Sequence, residues 1–271
     1  MKNIYMIMGA VLMMMSSCQE EIDYAFNSVT PRLVVEGYIT DQGVEVNLSR
    51  TIDMLDTVKA NSVKDAIVMI HGSDGTSEQL FADSNGTYRS VTGFKGISGV
   101  TYTLNVTDAN HTYHASSEMQ KQTILKNCHF EWKKVVSEDM LCFDYEVQDI
   151  AGEDNYYCYR MFKNGKTFKW GLFDDNGYKD GVITNSVTCM SKKKYEDNDL
   201  DEQDNILHDG DSIRFDVMVI SKPVYDYLYS LKLSSGSKVN PLSFFDGGCL
   251  GYFSANSVCS FEVIFIYLPQ N

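Results

Sequence analysis

Between residues 32 and 119 the chain is a succession of short β-rich runs, and this rhythm limits its fold more than any other feature. RLVVEGYIT, EVNLSRT, DAIVMIHG, EQLFADS, TYRSVTGF, TYTLNVTDA and HTYHASSEM follow one another, separated by DQG, SDGT, NGT, SGV and DAN. Side chains on a strand alternate between faces, so runs like TYTLNV present one apolar face and one polar face. The breaks are rich in Gly, Asn, Asp and Ser, which tolerate turn conformations. Helical periodicity is almost absent. About seven such strands predict an immunoglobulin- or transthyretin-like β-sandwich over residues 29–120.

A second β-rich region is expected over 121–271. CHFEWKKV and MLCFDYEVQD flank a VSED turn, and YYCYRMFK and KTFKWGLF flank Asn164-Gly165. Asn-Gly between β-rich runs predicts a two-residue hairpin, because both positions accept positive φ. SIRFDVMVIS and CLGYFSANSVCSFEVIFIYL follow. One short helix is predicted near 222–235. Ser221 caps it, Pro223 sits in its first turn, Val224, Tyr227, Leu228 and Leu231 form its apolar stripe, and Gly236 ends it. The fold class is therefore mainly β with one helix, and no internal repeat is visible.

The N-terminus carries a different signal. An apolar run from Ile4 to Met15 follows Lys2 and stops at Ser16-Ser17-Cys18. It is too short to cross a bilayer as a helix, which takes about 20 apolar residues. It reads as a secretory signal over 1–17. The cysteine after two serines resembles a bacterial lipobox, with Met15 where Leu is usual. In that reading Cys18 carries the acyl chains and residues 18–28 form a tether. Gln19-Glu20-Glu21 resembles the acidic export signal that sends Bacteroidetes lipoproteins to the cell surface.

Composition narrows the partners. The chain has 271 residues and a formal charge of −14, and loss of Lys2 with the signal makes it one unit more negative. Such a charge argues against nucleic acid and against an anionic lipid surface as partners. Besides Cys18 there are six cysteines: Cys128, Cys142, Cys158, Cys189, Cys249 and Cys259. An even number in an exported chain permits disulfides, yet several lie inside apolar runs where buried thiols are equally at home. Both readings stay open, and six cysteines allow fifteen pairings. The absence of a CxxC pair speaks against a zinc ribbon.

The catalytic and metal motifs fail one by one. NGKT at 164–167 lacks the glycine a phosphate loop needs five residues before its GK; Arg160 stands there. Asp197, Asp199 and Asp201 alternate like a calcium loop, but Glu202 and His208 occupy the positions that require Gly and Glu. The stretch 196–204 reads as a solvated acidic loop, with calcium by another geometry left open. His111 and His114 would point to opposite faces of a strand, and His71, His129 and His208 stand apart. HExxH and GxSxG are absent, and GISG at 96–99 reads as a turn. No catalytic residue, metal site or cofactor is expected. With 17 tyrosines, Trp132 and Trp170, most aromatics belong to strands and core. The candidate contact patch is Tyr156, Tyr157, Trp170 and Phe173. Asp56-Thr57-Val58 and Asp211-Ser212-Ile213 resemble a Bacteroidetes O-glycosylation triplet, making Thr57 and Ser212 candidates.

PRLVVEGYITD, LSRT, VKDAIVMI and NPLSFF…GYFSA together resemble a Bacteroidetes lipoprotein family described as domain of unknown function 4249. The resemblance covers roughly residues 18–268 and is most specific at 34–41 and 251–255. It implies an accessory role beside a TonB-dependent outer-membrane transporter and carries no catalytic residues. The expected function is a surface-exposed outer-membrane lipoprotein, not an enzyme, that captures or delivers a ligand. A structural or adhesive surface protein is the alternative; a surface hydrolase is a distant third.

Overall fold

The computed structural model describes residues 30–52, 62–178, 181–197, 204–234 and 241–267. The signal, Cys18, Gln19, Glu20, Glu21 and Thr57 lie outside them, as do Gly236 and most of the acidic loop.

The protein is mainly β. Strands β1 (Leu33–Ile39), β2 (Val44–Arg50), β3 (Ile67–Gly72), β4 (Ser77–Ala82), β5 (Thr87–Arg89), β6 (Thr101–Asp108) and β7 (His111–Glu118) come from the seven expected runs. Then follow β8 (Leu125–Val135), β9 (Glu138–Gln148), β10 (Tyr156–Lys163), β11 (Lys166–Asp174), β12 (Val182–Ser191), a one-turn α1 (Lys192–Asp197) and β13 (Ser212–Ile220). Helix α2 (Lys222–Ser234) precedes β14 (Leu250–Ala255) and β15 (Val258–Ile264).

The first sheet has eight strands in the order β14-β1-β2-β5-β4-β3-β6-β7. Alternation drives it: in β6 every second residue is buried, and Tyr102, Leu104 and Val106 enter the core beside Val35, Ile70 and Phe253. The halves β14-β1-β2-β5 and β4-β3-β6-β7 face each other over this core and are joined through β4 and β5. The free edges also approach. Asp246 and His114 exchange backbone hydrogen bonds of 3.0 and 3.3 Å, and the Ala255 amide donates to Ser117 Oγ at 3.0 Å. The sandwich is thereby nearly closed into a barrel. The strand that completes it, β14, comes from the segment expected to build the second region. It pairs with β1 in parallel, from Val34 with Leu250 to Ile39 with Ala255.

One buried carboxylate fixes a long connection. Glu78 on β4 accepts hydrogen bonds from Ser90 Oγ (2.7 Å), the Val91 amide (2.9 Å), the Thr92 amide (3.0 Å) and Thr92 Oγ1 (2.9 Å). Ser90 Oγ in turn accepts from the Phe94 amide at 2.7 Å, and Phe94 packs on the core. Burial alone would raise the Glu78 pKa, but these hydrogen bonds outweigh it and hold the carboxyl below the usual range. Glu78→Ala strands two backbone amides and should cost about 2–3 kcal/mol, read by urea unfolding. A depressed carboxylate stabilises above its unfolded pKa and loses that contribution as pH falls through its folded value. The difference between wild type and variant should therefore shrink in acid.

Beyond residue 120, sheets β12-β9-β8 and β11-β10-β13-β15 pack face to face. Phe215 lies 4.8 Å from Phe143 and 4.6 Å from Tyr145, centroid to centroid, at the middle of this second core. The hairpin at Asn164-Gly165 forms as expected, with φ of 50° and 79° and Lys163 opposite Lys166. Helix α2 spans the predicted segment and begins with the Tyr225 amide bonded to the Ser221 carbonyl at 3.0 Å. Val224, Tyr227 and Leu228 bury its apolar stripe. They pack on the outer face of β10 and β13 and on Tyr252 of β14, forming a third core that ties the two β-units together.

All six cysteines in the described residues are free thiols. Cys142, Cys158, Cys189 and Cys249 are buried. Burial pushes the Cys158 thiol up to about 11 and Cys189 and Cys249 to about 12, far from nucleophilic. These four fit the buried-thiol alternative, while Cys128 and Cys259 are only half-buried.

Candidate functional site

The two β-units leave a cleft of about 290 Å³ between them. Its floor is the outer face of β10, β13 and β15. Register sets three rows of side chains across these strands: Phe162–Arg214–Glu262, Arg160–Asp216–Ser260 and Cys158–Met218–Val258. The opposite wall comes from the barrel. Tyr38 of β1 lies level with Ser254 of β14, and Thr40, Gln42, Tyr252 and Asn256 complete it. Ile220, Val224 and Leu228 close one end. The cleft therefore grades from polar rows to an apolar end.

The polar groups are held tightly. Arg160 Nη2 donates to the Tyr252 hydroxyl at 2.9 Å, and the guanidinium lies 5.9 Å from the Tyr38 ring centre. Arg214 stacks on Phe162 at 4.4 Å and reaches Asp216 at 3.3 Å through Nε. Ser260 Oγ donates to Asp216 at 2.8 Å. Burial pushes the Asp216 carboxyl up, against the pull of Ser260 and Arg214. Burial, helped by Glu45, pushes the Tyr38 hydroxyl to about 12, so it stays a neutral donor. Asn256 is 2% exposed and accepts from Ser254 Oγ at 2.6 Å through Oδ1. Its Nδ2 has no partner among the described residues.

The residues singled out in the sequence fall elsewhere. Tyr157 and Phe173 stack at 4.8 Å inside the second core, and the Tyr157 hydroxyl donates to Asp149 at 3.1 Å. Tyr156 is on the opposite face of β10, against Tyr225 at 5.0 Å. Trp170, opposite Arg160 on β11, is 40% exposed with Lys232 above its ring. The four do not share one surface. Ser212 is exposed at the start of β13, and its amide donates to Asn164 Oδ1 at 2.9 Å. His114 Nε2 contacts Asp246 at 3.0 Å, while His111 stacks on Tyr113.

His129, Glu131 and Asp144 bring ligand atoms within 4.8 Å of one another. Lys133 already ion-pairs with Asp144 and Glu131, and Ser186 Oγ donates to Asp144 at 2.7 Å. Lys133 occupies both carboxylates of this set, which makes it an ion-pair cluster and a poor fit for a cation.

Compared with family models, residues 19–258 match the family described as domain of unknown function 4249. The chain belongs to this family. The match runs through β1 and β14, so it includes the barrel wall of the cleft as well as the rows on β10 and β13. No curated protein matches the chain.

The sequence does hold a trace of the cleft. Arg160, Arg214 and Asp216 are charged residues at alternate positions of strongly apolar strands. That pattern ordinarily marks a solvent face. Here a second unit covers the face.

Proposed function

We propose that this protein is a lipid-anchored, surface-exposed outer-membrane component that captures a small ligand in the cleft and passes it to a TonB-dependent transporter. The cleft carries the reading: it is concave, partly apolar and lined by a few convergent polar groups. The Ser16-Ser17-Cys18 signal and Gln19-Glu20-Glu21 support the address. Family resemblance supports the transporter. Binding is the mechanism. The acyl chains keep the cleft near the pore, which raises its effective concentration there without new contacts.

Purification of the lipidated protein from its own outer membrane in mild detergent tests this. A stoichiometric TonB-dependent transporter is the expected companion. Recovery alone, or as self-polymers that run as ladders on native gels, would move the reading to the structural or adhesive class.

A further inference from the structure

The cleft is electrically balanced. Among the described residues that line it, the charged ones are Arg160, Arg214, Asp216 and Glu262. Register sets Arg160 across from Asp216 and Arg214 across from Glu262, so each cation faces an anion on the next strand. Arg214 also reaches Asp216 at 3.3 Å. Burial pushes the Tyr38 hydroxyl to about 12 and the Cys158 thiol to about 11, so neither adds charge near neutrality. Two arginines against two carboxylates leave the cleft with no net charge, in a chain whose formal charge is −14.

This balance decides what can enter. A charged ligand gives up its hydration on entry and regains little where every counter-charge is already engaged. An uncharged ligand suffers no such loss, and hydrogen bonding stays open to it. Tyr252 accepts from Arg160 at 2.9 Å and retains a hydroxyl proton to donate; Ser260 Oγ donates to Asp216 at 2.8 Å and retains lone pairs to accept. Along the floor, the row Cys158–Met218–Val258 and the end wall of Ile220 and Leu228 offer only apolar contact. The space of about 290 Å³ suits roughly ten non-hydrogen atoms, taking about 30 Å³ for a water-sized group.

We propose that the cleft binds a small uncharged amphiphile, with its hydroxyl or carbonyl group beside Tyr252 and Ser260 and its apolar body on Met218, Val258 and Leu228. Exclusion of ions follows from the matched pairs. Removing one charge from the set should therefore change the selectivity in a direction fixed by the sign of what is left. The proposal rests on the reading of the cleft as a capture site and adds the ligand class.

The test is calorimetric titration of the lipidated protein in lipid nanodiscs, with empty nanodiscs as the blank, because detergent is itself an amphiphile. The probes share one alkyl body: hexanamide, hexanoate and hexylammonium. Hexanamide should bind about tenfold or more tightly than either ion. Asp216→Asn keeps the side-chain shape and an acceptor for Ser260 but leaves the cleft one unit positive. It should move the hexanoate-to-hexanamide affinity ratio about tenfold toward hexanoate. Arg214→Gln leaves the cleft one unit negative and should move the ratio toward hexylammonium instead. The two variants err in opposite directions, so a general loosening of the cleft cannot imitate both. If one fails to fold, the other and the wild-type comparison decide. Either ion binding as tightly as hexanamide to the wild type, no binding of hexanamide, or an unchanged preference in a folded variant overturns the proposal. None of these results bears on co-purification with a transporter, so the two readings fail separately.

Discussion

Gly251→Ala is expected to abolish folding of the barrel, or to leave it destabilised by about 4 kcal/mol or more, the range reserved for backbone strain and severe overpacking. Gly251 opens the GYFSA stretch of β14 with φ of +104°, a conformation that residues with a Cβ rarely adopt. A Cβ there would sit 1.8 Å from the Val35 carbonyl oxygen and 2.6 Å from its carbon. Those atoms are backbone of β1, the strand with which β14 pairs, so no side-chain rotation relieves the clash. The strands must separate. Separation breaks the ladder from Val34–Leu250 to Ile39–Ala255 and withdraws Phe253 and Ala255 from the core. It also displaces Tyr252, Ser254 and Asn256, so the cleft loses its barrel wall. Insoluble expression, or a melting temperature lowered by roughly 8–16 °C, is the expected readout. Gly43→Ala is the control: no atom lies within 4 Å of its Cβ, and the change should stay within about 0.5 kcal/mol. A soluble Gly251→Ala protein with wild-type stability would mean that β14 does not pair as described.

The same strand shows where sequence reading ends. Local signals were legible: the alternation in TYTLNVTD gave β6, Asn164-Gly165 gave a hairpin with both residues at positive φ, and Ser221 with the 224–231 stripe gave α2. Each rests on residues within a dozen positions of one another. The pairing of β14 with β1 joins positions more than 200 apart in parallel, and nothing near Gly251 names its partner. Without that crossover, residues 29–120 look self-contained. The cleft escaped for the same reason, because it exists only where β14 and β1 face β10 and β13. The aromatic guess at Tyr156, Tyr157, Trp170 and Phe173 followed composition along one hairpin. Strand alternation sent Tyr157 and Phe173 into the core and Tyr156 to the opposite face.

Cys18→Ala should move the protein from the membrane pellet to the soluble fraction while leaving the cleft intact. The expectation follows from the proposed anchor. One acyl chain binds a bilayer only marginally, with a constant of about 10⁴ M⁻¹, so stable retention takes two or more chains on the same residue. Among the described residues no helix is long and apolar enough to cross a membrane. A formal charge of −14 repels anionic lipid, so electrostatics offers no fallback. The variant should keep the wild-type melting temperature, because Cys18 precedes β1 by fifteen positions. Transporter co-purification should nonetheless fall sharply, since tethering supplies effective concentration rather than contact. Replacing Gln19-Glu20-Glu21 by alanines should separate address from anchor: the protein stays in the membrane but loses accessibility to protease added to intact cells. Retention of Cys18→Ala in salt-washed membranes would show that something other than acylation holds the protein there. The capture reading would then rest on the cleft alone.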